Sequence, residues 1–239
     1  MFLELVAKNG ADEFYRGSIA KKIVASMELY GGLISEEDLD SVKAEWMDPL
    51  TIKYRDYEVN TVPPNSSGFQ ILETLKILET LPPEKIKFQD PDFIHYFMET
   101  TKLAATDRIT HGGDQSIKLT PTEKLLSNSY AKYQSSRISN DKVNLLAGEV
   151  FNPDVPQGAL TSVDLNAYDG GMTTHFAVAD KDGNVVSITQ TLGGGFGSAL
   201  APEGTGIFLN NMGDWFDLDS GSSNQIGSGR RQDFCLSPT

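Results

Sequence analysis

Cysteine is nearly missing from this chain: Cys235 stands alone among 239 residues, so no internal disulfide can form. Histidine is scarce as well. Of the three present, His95 and His111 have no second histidine or cysteine at metal-ligand spacing, so no zinc or other metal site is expected. No apolar run approaches the roughly 18 residues of a membrane span. Met1 is not followed by a basic segment and an apolar signal core, which leaves the compartment open and gives no reason to expect a membrane partner. Lys and Arg number 20 against 33 Asp and Glu, and the net charge of −13 argues against a nucleic-acid partner, which would want a basic face. The motif G-x-S-x-G is absent too, so Ser66-Ser67-Gly68 reads as a helix cap and not as a nucleophile elbow.

What is present is enough chain for one large domain or two small ones with a substantial core. Ile19, Ile23, Val24 and Met27 fall at helical spacing from Ser18, with Gly31-Gly32 as the stop. Ser35-Glu36-Glu37-Asp38 resembles a capping box, which accounts for its acids through the helix dipole without any metal or catalytic role. Leu50 to Tyr54 and Tyr57 to Val62 read as strands around Arg55-Asp56. Further helices are expected with Ile71, Leu72, Leu75 and Leu78 on one face, over Asp92 to Arg108 with Phe93, Phe97 and Ala104 inward, and over Thr122 to Arg137. Ile138 to Tyr168, rich in Asn, Asp, Gly and Pro, reads as a long mobile connector.

The chemistry concentrates after that connector. Thr173 to Asp180 and Asn184 to Leu192 alternate apolar with small or polar residues, as strands do. If Lys181-Asp182-Gly183 is a three-residue loop, Asp180 pairs with Asn184 and Thr173 faces Thr191. A two-residue Asp182-Gly183 turn would put Thr174 opposite Thr191 instead. A Thr-Thr pair in a hairpin is ordinarily scaffold. A threonine becomes a nucleophile when it is the first residue of a chain, because its own α-amine, with a pKa near about 8, takes the hydroxyl proton. Met172-Thr173, following the flexible run Asp169-Gly170-Gly171, is a candidate cut site for that purpose. His175, on the same strand face, is then read as structural or orienting, the α-amine having filled the role of base.

TTHF, DKDGN-VS-T-TL, FGS and P-TGI-LNN resemble the start of the small subunit of the gamma-glutamyltranspeptidase family. Upstream, GADEFYRGSIAKKIV, GGLISEEDLDSVKAEWMDPLTIKYRDYEV, PPNSSGFQILETLKILE and KLAATDR resemble the second half of its large subunit. The resemblance implies an α+β, N-terminal-nucleophile hydrolase-like fold, part of a four-layer αββα sandwich. In it residues 1–172 would be the C-terminal half of the large-subunit-like region and 173–239 the N-terminal part of the small one, the two segments associating. It also implies self-cleavage before Thr173, with Thr173 as nucleophile and Thr191 as the supporting threonine. By the same resemblance, Met1 aligns inside the large subunit and Thr239 short of the small subunit's end. A fragment is therefore expected, with the carboxylate-clamping arginine and the oxyanion-hole glycines outside it and with poor catalysis alone.

The pattern breaks at the pocket. Where the family has an asparagine for the glutamyl α-substituents this chain has Gly193. Where it has a glutamine and an aspartate for the α-ammonium, Met212 and Trp215 stand, with Asp214 adjacent as a substitute carboxylate; where it has two serines, Phe234-Cys235 stand. Each good polar partner lost costs about 1 to 3 kcal/mol. The expectation is a threonine amide hydrolase or acyltransferase needing no cofactor, acting on a small amide, γ-glutamyl or otherwise, with water or an amine as acceptor. An acylase of non-glutamyl specificity and a non-catalytic binding member are the alternatives.

Overall fold

The computed structural model describes residues 2–87, 90–143 and 172–239. The connector expected over Ile138 to Tyr168 lies, from residue 144 onward, outside the described residues, as does the Asp169-Gly170-Gly171 run. Helices and antiparallel hairpins make up the described chain, an α+β composition. It falls into two compact units: residues 2–46, 172–174 and 191–212 in the first, and 47–87, 90–143, 175–190 and 213–239 in the second.

In the first unit, α1 (Phe2–Asn9), α2 (Asp12–Tyr15), α3 (Ser18–Tyr30) and α4 (Glu36–Ser41) follow one another. The helical spacing of α3 buries Ile19, Ala20 and Ile23 together with Leu39, and Phe2, Leu5, Phe14 and Ile207 pack around them. The α4 capping box forms as its sequence pattern predicts. Asp38 N–H donates to Ser35 Oγ at 3.1 Å and Ser35 N–H donates to Asp38 Oδ2 at 2.8 Å, and the Ser35 N–H and hydroxyl donating to Oδ2 hold the Asp38 carboxyl below its ordinary range. Arg16 ties α2 to α4 by pairing with Asp12 and Asp40.

In the second unit, β1 (Leu50–Tyr54) pairs with β2 (Tyr57–Thr61), with Tyr54 opposite Tyr57. Then come α5 (Gly68–Glu79), α6 (Pro91–His111), α7 (Thr122–Leu125) and α8 (Asn128–Ser135). Ile77, Leu103 and Ala131 knit α5, α6 and α8 into a core. Two apolar positions stand on the other side from the one their periodicity predicts: Ile71 is exposed while Ile77 is buried, and Phe97 is exposed while Tyr96 and Leu103 are buried. The single helix expected over Thr122 to Arg137 breaks at Leu126-Ser127. There the Ser127 hydroxyl accepts from Tyr130 N–H and caps a new helix. Ser67 is the N-cap of α5 by position, but its hydroxyl donates to Asp233, at 3.2 Å from Oδ1, and makes no cap bond.

β3 (Thr173–Ala179) and β4 (Val185–Thr191) form a second two-stranded sheet. Its arms and tip belong to the second unit, while Thr173, Thr174 and Thr191 at its root belong to the first.

Candidate active site

The hairpin turn sets the register of everything at its root. Gly183 N–H donates to Asp180 O at 3.3 Å and Asp180 N–H to Asn184 O at 3.0 Å. Gly183 sits at φ 85°, the left-handed position that ends a three-residue loop. The Asp180 carboxylate accepts from Asn184 Nδ2 at 2.7 Å and from Asp182 N–H at 2.9 Å, and those bonds lower its pKa. His175 Nδ1 lies 2.7 Å from Thr189 Oγ1, a cross-strand pair in the same register, since each arm is five residues from Asp180 or Asn184. Two residues further toward the root, Thr173 faces Thr191. The three-residue loop is the one formed.

At that root, within the first unit, the Thr191 hydroxyl donates to the carbonyl of Met172 at 3.3 Å. This is the carbonyl of the Met172-Thr173 peptide bond. Thr191 Oγ1 in turn accepts from Gly193 N–H at 2.9 Å. Gly193 also takes Met172 N–H onto its own carbonyl at 3.1 Å, so Met172 is held at its N–H by Gly193 and at its carbonyl by Thr191. Thr173 itself is exposed. Gly193 is buried at φ 90°, and a Cβ on it would overlap Asn211 Oδ1. Asn211 Oδ1 accepts from Gly194 N–H at 2.8 Å, and Asn211 N–H donates to Leu192 O at 3.0 Å. In this chain the Asn211 side chain thus occupies the direction that a side chain at position 193 would take.

Of the remaining candidates, Met212 belongs to the first unit and Asp214, Trp215, Phe234 and Cys235 to the second. Asp214, exposed, is in the short 3-10 turn Met212–Trp215. The Trp215 carbonyl accepts from Asn224 Nδ2 at 2.6 Å, and Asn224 Oδ1 accepts from Asp233 N–H at 2.7 Å, so one asparagine ties the Asp214 turn to the Phe234 segment. Phe234 is strapped to the turn before α5: its N–H donates to Asn65 O at 3.2 Å and its carbonyl accepts from Ser67 N–H at 3.0 Å. Asp233, nearly buried, faces Arg108 at 3.2 Å. Burial pushes its carboxyl up, and Arg108 opposes that shift. The Cys235 thiol is exposed. Asn211, Asn224 and Asp233 were not foreseen as site-building residues. The signal for Asn211 lay in the polar doublet Asn210-Asn211 closing an apolar run after the glycines.

Thr173, Thr191 and the Met172 carbonyl that Thr191 bonds thus stand together at the root of one hairpin. The gamma-glutamyltranspeptidase family model matches residues 1–239, and the chain belongs to that family. The glutathione hydrolase proenzyme of Escherichia coli (strain K12) is 36% identical over 248 residues, covering 99% of this chain and 41% of the relative. The acylase ACY 1 proenzyme of Pseudomonas sp. (strain SE83) is 32% identical over 237 residues, covering 99% of this chain and 40% of the relative. The crystal structure of cephalosporin acylase from Bacillus halodurans superposes with a TM-score of 0.79 at 30% identity, covering 98% of this chain and 39% of that one. This chain thus spans about two fifths of the length of these relatives.

Proposed function

We propose that this chain is the self-cleaving part of an N-terminal threonine amide hydrolase or acyltransferase, with Thr173 as nucleophile. In this reading, Thr173 Oγ1 adds to the Met172 carbonyl carbon, the Met172-Thr173 C–N bond breaks, and the resulting ester on Oγ1 is hydrolysed by water. The new α-amine of Thr173 then accepts its hydroxyl proton in each later attack on an amide substrate. The acyl ester formed on Thr173 passes to water or an amine, and no cofactor enters. Residues 1–172 and 173–239 would remain associated as large-subunit-like and small-subunit-like parts of one four-layer αββα sandwich.

The observation that carries this reading is the Thr191 hydroxyl donating to Met172 O. That oxygen is the one on which negative charge develops when Thr173 attacks, and a donor already aimed at it stabilises the charge as it forms. The relatives named proenzymes support a processed chain.

An acylase of non-glutamyl specificity is the second reading. It is favoured by Gly193, whose side-chain direction is taken up by Asn211, and by the likeness to a cephalosporin acylase. Met212, Trp215 and Phe234 add apolar surface in place of the family's glutamyl contacts, which suits a bulkier, less charged acyl group.

Intact-mass measurement on the complete protein tests the reading. Appearance of a chain beginning at Thr173, abolished by Thr173→Ala, is expected. An uncut chain after long incubation would instead leave a non-catalytic binding member. Turnover of γ-glutamyl against other acyl anilides then separates the two catalytic readings.

A further inference from the structure

We infer that Asn211 is a positioning residue for the cleavage step, acting through the Gly193 peptide; this rests on the proposed processing at Met172-Thr173. The Gly193 peptide must be fixed for Thr191 to meet the Met172 carbonyl, and Asn211 holds a backbone group on each side of it. Its N–H holds the carbonyl of Leu192 at 3.0 Å, one residue before Gly193. Its Oδ1 holds the N–H of Gly194 at 2.8 Å, one residue after. Gly193 is thereby gripped on both flanks. Asn211 Oδ1 also stands where a Gly193 Cβ would be, so the side chain and the glycine conformation at φ 90° fit each other.

The gripped peptide has two outputs. Gly193 N–H occupies a lone pair of Thr191 Oγ1 at 2.9 Å, which leaves the hydroxyl proton to turn toward Met172 O. Gly193 O accepts from Met172 N–H at 3.1 Å, which fixes the residue carrying that carbonyl. If the Gly193 peptide rotated, donor and target would be lost together. Asn211 acts through its bonds to Leu192 O and Gly194 N–H. Its effect is on geometry, and misplacement by about 1 Å is enough to lower a rate a hundredfold.

The complete protein is assayed for precursor conversion by intact mass, together with hydrogen exchange at Gly194 and the thermal unfolding midpoint. Asn211→Ala is expected to slow cleavage by about tenfold or more, on the scale of one lost hydrogen bond, and to speed exchange at Gly194. Asn211→Asp keeps an acceptor oxygen for Gly194 N–H and should restore most of the rate. Asn211→Ala cleaving at the wild-type rate, with Gly194 exchange accelerated, would overturn the inference. So would equal slowing in the Ala and Asp variants that follows their unfolding midpoints, which marks a purely structural residue. A wild-type chain that never cleaves overturns the processing reading itself and takes this inference with it; that failure shows in the wild-type sample before any variant is compared.

Discussion

His175 and Thr189 face each other across the hairpin, with Nδ1 2.7 Å from Oγ1. The imidazole is thus engaged two cross-strand pairs along β3 from the Thr173 and Thr191 positions, and residues two apart on a strand are separated by about 7 Å. A base must come within about 3.2 Å of the proton it removes. His175→Ala is therefore expected to keep cleavage and turnover within about tenfold of wild type, measured by intact mass and by anilide hydrolysis. Loss of turnover in a variant that still cleaves would move the role of base from the Thr173 amine to His175.

Thr191 should separate by chemistry and not by size. Thr191→Ser keeps a hydroxyl for Met172 O and an acceptor for Gly193 N–H, so cleavage is expected within a few fold of wild type. Thr191→Ala and Thr191→Val remove both bonds. Removal of one donor aimed at a developing oxyanion costs about a hundredfold or more. A time course of precursor loss reads the difference, and Val behaving like Ser would show that shape alone matters at this position.

Glu73 supplies a pH dependence of stability. It is fully buried on α5, and neither carboxylate oxygen has a donor among the described residues. Asp107 beside it accepts from Tyr130 Oη at 2.8 Å and from Gln134 Nε2 at 2.7 Å. Burial, then the neighbouring Asp107, pushes the Glu73 carboxyl up to about 10, so it is a neutral acid at pH 7 with its proton toward Asp107. The folded state then holds a proton that the unfolded chain releases above its ordinary value of 4.5. The stabilisation is complete below that value and declines as pH rises toward 10, at on the order of 1.4 kcal/mol per pH unit for one proton. Glu73→Gln should flatten this decline and be the more stable form at pH 8. His111, on α6, is held below its usual value chiefly by burial, so its contribution lies at the acid end. Urea unfolding of wild type and Glu73→Gln at pH 5, 7 and 8 separates the two, since His111 is common to both, and a wild-type stability that gains on the Gln variant as pH rises would refute the neutral acid.

Local chemistry made much of this chain legible. Ile19, Ile23 and Met27 repeat at helical spacing and all three are buried, and Ser35 with Asp38 closes its box within four residues. Whatever depended on distant partners was not visible. Ser67 abandons a cap for Asp233, 166 residues away, because a buried carboxylate needs donors more than a helix end open to other partners does. Ile71 and Phe97 are as apolar as Ile77 and Leu103; hydropathy states which residues favour burial and is silent on where the opposing helix lies. The hairpin turn was undecided because Asp182-Gly183 suits both loop lengths, and the Asp180 carboxylate bonding to Asp182 and Asn184 settles it. At the site, the Thr173 and Thr191 pairing follows from counting once the loop length is known, whereas the Asn210-Asn211 doublet marks a polar spot without saying that its amide reaches Gly194, 17 residues away.

Asp214 offers the sharpest test of what the pocket accepts. It is the carboxylate nearest in sequence to the positions where the family pattern holds an α-ammonium, which are Met212 and Trp215 here. A carboxylate that pairs with an ammonium is worth about 1.5 to 3 kcal/mol, or roughly ten- to hundredfold in affinity. Asp214→Asn should therefore raise KM for a γ-glutamyl anilide by about that factor while leaving kcat nearly unchanged, the mark of lost ground-state binding. For an acyl anilide without an ammonium group the same substitution should leave KM unaltered. If both substrates respond alike, Asp214 shapes the turn Met212–Trp215 and does not read charge. If neither responds, the pocket distinguishes acyl groups by its apolar lining alone, as the acylase reading requires.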